Sequence, residues 1–555
     1  MHRTLFVMAS LVFAFSISQA QTTTWAVDFS NAIIKRWPSS INDMTGKDWE
    51  YSNGIVLQGI EKVYEHTKDT AYLNYIKKYV DTYVGSSGAI SQSDLDTTLE
   101  SFDKMQPGVL CLFLYKETGL QKYKAAADYI RMLIARLPKN SYGGFWHKKK
   151  YPNQMWCDGI YMGEPFLAQY GFRLNDMGYC DSTATFQPLL LASHAYDSTA
   201  KLLYHAWDAR DSAGWADKTT GLSPAIWSRG MGWFSAGIID ILKYLPKNHP
   251  QYNAMMTLLE NIAQGLKNAQ DPTTGLWYQV TDKPSLSGNF IESSGSGLFI
   301  YTLKTAVDYG FIDKSYLAVA QKGWTGFKTK ITLDAQGLPV INGFVAAMSV
   351  GALADYLAAP LVSCPTNTAP HGYCAALFAA SAMELQTVPK YRITINVVGQ
   401  GSVSNPSGEM FLDSGSTVTL TATPGSEYHL SQWSGDASGN SATVVVTMNA
   451  EKSITATFAQ GSSIINSPDF KVDGGAYLHH TRCAASISFA MLSTQKVSIS
   501  VCNCDGRKVK DCANGIFQAG NYTIDLSMRG LATGVYLIKF MRGETIQQTI
   551  ITLFK

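Results

Sequence analysis

Charge is scarce in this chain: only 16% of its 555 residues are Asp, Glu, Lys or Arg, and 45 basic side chains nearly cancel 43 acidic ones. With the two signs mixed along the sequence, there is no field of the kind that draws nucleic acid or an anionic membrane surface, and neither partner is implied. The one basic run, Lys148 to Lys150, reads as a solvated loop. Past the amino terminus no segment holds the roughly 18 to 20 uninterrupted apolar residues of a membrane-spanning helix, so no transmembrane segment is expected. A fixed-period repeat is missing too, which leaves a helical solenoid unsupported. The nine cysteines are an odd number, so at least one is unpaired within the chain. Cys364 with Cys374, and pairs among Cys483, Cys502, Cys504 and Cys512, are candidate disulfides. Cys502-Asn503-Cys504 has no second cluster at metal-ligand spacing, and neither a metal nor a cofactor is expected.

What is abundant is apolar and aromatic: 46% hydrophobic residues and 12 Trp describe a globular protein with rings to spare. The length allows two to four domains. His2 and Arg3, an apolar stretch from Leu5 to Phe15, and Ser18-Gln19-Ala20 read as a secretory signal, residues 1–20, with the mature chain starting at Gln21. From about 25 to 386 apolar residues recur at three- and four-residue spacing. Ile55, Ile60, Val63 and Tyr64 suit one helix face, and Tyr72, Ile76, Val80 and Tyr83 the next. Further periodic stretches cover 107–117, 121–137, 186–204, 229–245, 252–269, 292–309, 314–329 and 343–357. Roughly a dozen helices separated by turns predict an all-α domain, residues 21–388, closed as an (α/α)6 barrel of helical hairpins.

After Lys390 the texture alternates in the manner of strands: Tyr391-Arg-Ile-Thr-Ile-Asn-Val-Val, then 417–423, 443–448 and Ser453-Ile-Thr-Ala-Thr-Phe. This small β-rich module, 389–459, has Trp433 as an expected core residue. Its Tyr428-His-Leu-Ser-Gln-Trp-Ser-Gly segment resembles the internalin type of B-repeat. A linker, 460–466, leads to a second β unit, 467–555. Val497-Ser-Ile-Ser-Val, Gly506-Arg-Lys-Val and Gly534-Val-Tyr-Leu-Ile-Lys-Phe there resemble the C-terminal sorting sandwiches of type IX export, which would engage export or cell-surface machinery. The protein is expected to be secreted, on the cell surface or periplasmic.

Two carboxylates stand out, Asp103 in Phe102-Asp-Lys-Met-Gln-Pro-Gly and Asp158 in Trp156-Cys-Asp-Gly-Ile-Tyr-Met. Each sits where a helix is expected to start, so capping alone explains them: Asp103 and Gln106 have the spacing of a capping box. Helix starts at one end of a barrel also face a common cavity, and a cap there can be a working group. Aromatic and polar residues crowd the same loops: His147, Trp156, His205, Trp227, Arg229 and Trp233. Indole rings stack on the apolar faces of sugars, and a guanidinium fork holds a carboxylate through two parallel hydrogen bonds. Together they suit an acidic sugar.

Gly144-Phe-Trp-His-Lys-Lys-Lys-Tyr-Pro-Asn-Gln-Met-Trp-Cys-Asp-Gly-Ile-Tyr-Met, Trp227-Ser-Arg-Gly-Met-Gly-Trp, Gln270-Asp-Pro-Thr-Thr-Gly-Leu-Trp-Tyr-Gln-Val and Glu292-Ser-Ser-Gly-Ser resemble, in that order, the marks of glycoside hydrolase family 105. The resemblance covers nearly all of 25–386. It implies an (α/α)6 barrel that removes 4,5-unsaturated galacturonic acid from pectin-derived rhamnogalacturonan oligosaccharides. It implies Asp158 as general acid, Asp103 as the second acidic residue, and His147, His205, Trp227, Arg229 and Trp233 as substrate contacts, with Trp156 beside them. Met231 replaces the family's usual Asn and Cys157 its usual aliphatic residue, departures that touch subsite preference before activity. The chemistry implied is hydration of an enol ether, for which burial and the charge of Asp103 are expected to raise the pKa of Asp158. Rival readings are an unsaturated glucuronyl hydrolase, a conventional hydrolase on the same barrel, and a non-catalytic sugar-binding protein.

Overall fold

The computed structural model describes residues 24–553 apart from 92–100, 175, 366–369, 387, 405–407, 461–469, 473–475, 481–484 and 529. The expected signal segment and Cys483 lie outside the described residues. The chain divides into two compact units. The first runs to Arg392 and includes Glu409–Ser414, and the second holds Ile393–Gly408 and everything from Gly415 on.

Twelve helices of eleven residues or more, among the described residues, build the first unit. They fall into two kinds, and the sequence explains the difference. Gly108–Thr118 opens GVLCLFL with no polar face, and every residue of Ser228–Leu242 is buried. A helix that is apolar all round has to be covered all round. By contrast, Tyr252–Ala269 buries one stripe, Met255, Leu258, Leu259, Ile262, Ala263 and Leu266, and leaves the rest to solvent. The packing follows that distinction. Tyr51–Thr67 lies against Pro370–Ala380, which lies against Ser293–Asp308; that helix meets Ser228–Leu242, which meets Cys157–Leu174, and Gly108–Thr118 contacts both Cys157–Leu174 and Tyr51–Thr67. Each of these six carries one outer partner: in turn Thr70–Tyr83, Trp25–Arg36, Tyr316–Lys328, Tyr252–Ala269, Met177–Ala195 and Gln121–Arg136.

The periodic stretches at 107–117, 121–137, 229–245, 252–269, 292–309 and 314–329 are helices with ends shifted by three residues or fewer. Two others differ. The stretch 186–204 is helical only to Ala195 and then turns through the strand pair Tyr196–Asp197 and Leu202–Leu203, because Asp197 takes the amides of Thr199 and Ala200 in an Asx-type turn. The stretch 343–357 begins inside the strand Pro339–Val345 and reaches only a five-residue helix, Leu353–Leu357. Cys364 and Cys374 form no disulfide, and neither do Cys502, Cys504 and Cys512.

In the second unit Thr417–Pro424 pairs antiparallel with Gly401–Ser404 and with Thr443–Thr447. Lys452–Gln460 runs antiparallel to Tyr428–Gly435 and parallel to Lys390–Val398, from Ile393 on. Trp433 is buried in this module, its indole N–H donating to the Ser441 carbonyl at 2.8 Å, the core role expected of it. The remaining strands form two four-stranded sheets closed on Ile487, Phe489, Val497, Ile499, Ile538 and Phe540.

Gly59 sets the approach of Tyr51–Thr67 to Pro370–Ala380, since a Cβ there would stand 2.7 Å from the Leu377 Cβ. Gly59→Ala is expected to cost about 1–3 kcal/mol, the usual range for an overpacked core. Urea titration reads it as a lower midpoint at unchanged slope, with partial recovery in the Gly59→Ala/Leu377→Ala double variant. Additive losses would show that the two helices do not meet there.

Candidate active site

A set of extended segments lays the expected site residues side by side at the N-terminal ends of the six inner helices. Gln154–Trp156 pairs antiparallel with Ala206–Asp208, putting Trp156 opposite Ala206, and the Cys157 amide donates to the His205 carbonyl at 2.9 Å. The helix Cys157–Leu174 starts at that point, so Asp158 leaves the ribbon in the first helical turn, beside His205. On the ribbon's other side His147 N–H donates to the Gln154 carbonyl and Phe102 N–H to the His147 carbonyl, at 2.9 and 3.1 Å. Asp103 follows in a short 3-10 turn, Phe102–Lys104, ahead of the helix Gly108–Thr118 rather than at its start. Arg229 enters from the first turn of Ser228–Leu242, anchored by Ser228 N–H on the Gln279 carbonyl at 2.9 Å.

The two carboxylates differ in what surrounds them. Asp103 is 4% exposed and bonded to Lys148 Nζ at 2.5 Å, with His147 Nε2 at 3.9 Å. The capping-box reading of this residue does not hold: Gln106 turns away and donates to Gln58 Oε1 at 3.0 Å. Lys148, expected in a solvated loop, is instead the counter-ion of Asp103, placed by the bridge between Ser101 and Lys148. Asp158 is 17% exposed, and its Oδ2 accepts from His205 Nε2 at 3.0 Å.

Burial pushes the Asp158 carboxyl up, but the hydrogen bond from His205, with the Arg229 charge behind it, outweighs burial and holds Asp158 below its ordinary value. This corrects the expected direction. An ionised carboxylate only accepts, so His205 carries its proton on Nε2. Its Nδ1 lies 2.8 Å from the Tyr356 hydroxyl, and burial keeps that phenol protonated. The Gly351 N–H in turn bonds to Tyr356, leaving the phenolic proton to point at Nδ1. Burial lowers His147 to about 4, so its imidazole is neutral.

The rings form the wall. His147 stacks on Trp156 at 4.4 Å, Trp156 meets His205 edge-on at 5.5 Å, and Trp227 lies 4.6 Å from His205. Arg229 Cζ lies over the Trp227 ring at 4.7 Å. Trp233, one turn further along the same helix, packs instead on Tyr161 at 4.9 Å in the core beneath the site. Gly230 lets the helix start come this close: a Cβ would sit 3.0 Å from both His205 Cδ2 and Trp227 Cε3.

Arg229 is only partly committed. Its Nη1 donates to Ser294 Oγ at 3.1 Å and to the Val345 carbonyl, and Glu292 stands 3.9 Å away. Glu292, fully buried, is occupied by Ser294 Oγ and the amides of Gly295 and Val345 at 2.6, 2.6 and 3.0 Å. Arg229 Nε is buried without a partner among the described residues, a donor left for an acid to satisfy. Sequence reasoning missed Tyr356, Lys148 and Tyr51; Tyr51 bonds His371 Nε2 at 3.1 Å and feels both Asp103 and Arg229. Tyr51 and Tyr356 lie in no motif that announces them, and Lys148 lies in one but reads there as part of a solvated basic run.

The unsaturated rhamnogalacturonyl hydrolase YesR of Bacillus subtilis is 25% identical over 259 residues, 45% of this chain and 68% of that protein. An unsaturated 3S-rhamnoglycuronyl hydrolase of Alteromonas sp. is 25% identical over 237 residues, 40% of this chain and 55% of that protein. Among solved structures, a family 105 glycoside hydrolase from C. acetobutylicum superposes with a TM-score of 0.60 at 33% identity, covering 65% of this chain and 99% of that one. Residues 391–462 match the Divergent InlB B-repeat domain and 484–552 the Secretion system C-terminal sorting domain, so the chain carries a tail of the kind that directs export. The profile of Glycosyl Hydrolase Family 88 matches residues 25–386, more than half of the chain and all of the segments that build the site, and the protein belongs to that family of glycoside hydrolases.

Proposed function

We propose that the protein releases 4,5-unsaturated galacturonic acid from the non-reducing end of rhamnogalacturonan oligosaccharides by hydrating the enol ether, with Asp158 as general acid. The observation that carries the assignment is the contrast between the carboxylates: Asp158 is reachable and bonded to the imidazole of His205, whereas Asp103 is enclosed with the ammonium of Lys148. The relative named for this activity supports the substrate class. The inner helices and their outer partners are read as an (α/α)6 barrel spanning 21–388. In the same reading 389–459 and 467–555 are two β modules, and 1–20 is a leader removed on export.

Asp158 protonates C4 of the unsaturated ring, water adds at C5 with help from the carboxylate that results, and the hemiketal opens to release the partner sugar. No nucleophile is needed at the anomeric carbon, so the carboxyl separations that sort ordinary glycosidases do not apply. The free enzyme holds Asp158 low, and the substrate itself brings it to the acid form. A uronate beside it adds a like charge and displaces water, and both raise a carboxyl pKa. The Nε–Nη2 edge of Arg229 receives the uronate side-on, which offers the two parallel hydrogen bonds a planar acid accepts. Trp156, Trp227 and His147 bound the ring, with Trp233 supporting from below. Asp103 acts through the field it shares with His147 and Lys148.

The second reading worth keeping is a hydrolase for other unsaturated uronates, because of the 3S-rhamnoglycuronyl hydrolase relative. The ultraviolet absorbance of the conjugated double bond separates them when an unsaturated galacturonyl-rhamnose disaccharide and an unsaturated glucuronyl substrate are compared.

Three outcomes follow from the roles assigned. Asp158→Asn is expected to lower turnover by on the order of 10²–10⁴-fold, the usual worth of a general acid, with an unchanged circular dichroism spectrum; near-normal turnover would sink the assignment. Arg229→Ala should raise KM for uronate-bearing sugars more than for neutral ones, and equal loss on both removes the clamp. In His205→Ala the main partner holding Asp158 low is gone while burial remains, so the carboxyl pKa rises. Since the acid must be protonated to act, the alkaline limb of the residual kcat/KM profile should move to higher pH; an unmoved limb would show that His205 does not set Asp158.

A further inference from the structure

The inner helices have a second common end. At their C-terminal turns, away from Asp158, lies a cavity of ≈ 590 Å³, inside the size range of small-ligand sites. Tyr51–Thr67 contributes Glu61, Cys157–Leu174 contributes Gln169 and Arg173, Ser293–Asp308 contributes Thr305, and Ser381 and Gln386 close it. Each of these six residues has a buried polar atom without a partner among the described residues: Glu61 Oε2, Gln169 Oε1, Arg173 Nε, Thr305 Oγ1, Ser381 Oγ and Gln386 Nε2. Glu61, Gln169, Thr305 and Ser381 are themselves more than nine-tenths buried. Leaving such atoms unsatisfied costs about 1–3 kcal/mol each, so their gathering in one cavity calls for a polar occupant.

The chemistry of the lining narrows that occupant. Two unpartnered N–H donors, two carbonyl-type oxygens and two hydroxyls make a mixed set, which matches a ligand whose own groups both donate and accept, as sugar hydroxyls do. Tyr244 and Tyr309 add aromatic faces, the first beneath the Arg173 guanidinium at 5.8 Å. Six cationic side chains line the space against four carboxylates. Helix C-termini favour cations, which accounts for part of that excess. Lys62, Lys116 and Lys243 each also have a carboxylate within 4 Å, at 3.9, 3.2 and 2.7 Å. Arg173 has none. Burial, with Glu65 nearby, pushes Glu61 up to about 8, which removes one negative charge from the cavity at neutral pH and makes that carboxyl a donor. A guanidinium with no carboxylate of its own, in a space rich in cations, suits an acid.

We infer that this cavity is a second carbohydrate site, separate from Asp158, that binds a monosaccharide-sized sugar acid with its carboxylate on Arg173 and its hydroxyls on Gln169, Thr305, Ser381 and Gln386. Isothermal titration of the full-length protein with D-galacturonic acid, which lacks the reactive double bond, tests it. The expected result is a binding event weakened about tenfold or more in both Arg173→Met and Thr305→Val, at unchanged turnover of the unsaturated disaccharide, and a weaker one for D-galactose than for the acid. Thr305→Val is nearly isosteric, and turnover at Asp158 reports that both variants fold. Galacturonate binding that neither substitution changes would leave water as the only occupant and overturn the inference. Equal affinity for galactose would overturn the role of Arg173. Neither result bears on Asp158, whose assignment stands or falls on its own turnover.

Discussion

An imidazole with a carboxylate on one nitrogen and a phenol on the other can arrange its protons in few ways when all three groups are enclosed. Here Tyr356 keeps its proton, accepts from the Gly351 amide and faces Nδ1 of His205, so Nε2–H is left for Asp158 at 3.0 Å. That one bond decides the state of Asp158, the more exposed member of the pair Asp103 and Asp158. It also orients the ring against which Trp156 and Trp227 pack. Much of the surrounding backbone is arranged to hold it. The ribbon register delivers Asp158 to His205, and the glycine at 230 clears the space in front of both.

How much of this could be read from the sequence depended on whether the deciding contact was local. Tyr252–Ala269 was legible to the residue because one apolar stripe on a solvated helix leaves a clean period. Pro339–Val345 was not, since the strand is buried on most positions and its apolar run looks like any other covered segment. The site residues were legible as types in motifs, and Asp103, His147, Trp156, Asp158, His205, Trp227 and Arg229 do meet at one end of the helices. The role of Lys148 was hidden, because its pairing with Asp103 is fixed by a bridge between segments 47 residues apart in the chain. The direction of the Asp158 shift was hidden for the same reason. Burial and a neighbouring carboxylate could be guessed from composition, but the bond from His205 that overrides them needs the register of Gln154–Trp156 on Ala206–Asp208.

The helix directions then explain why the two ends of this domain differ in chemistry. Six inner helices point their free N–H groups and positive dipole ends toward Asp158, a field that favours anions. In the proposed reaction an anionic substrate is drawn to this end, and its charge is what lifts Asp158 into its protonated form. The opposite end has the reverse polarity and carries lysines and Arg173 that offset it, and Lys62, Lys116 and Lys243 are each tied to a carboxylate. Between the two ends polar groups remain: Tyr161 bonds Gln58 at 3.0 Å and Asp240 at 3.3 Å, Gln106 meets Gln58 from the Asp158 end, and Ser235 meets Thr302 at 3.0 Å. Gln58 Oε1 accepts from both Tyr161 and Gln106, Asp240 accepts in addition from Lys243 and Tyr301, and Gln106 Oε1 is buried without a partner among the described residues, so this thread through an apolar core is held together but not fully satisfied.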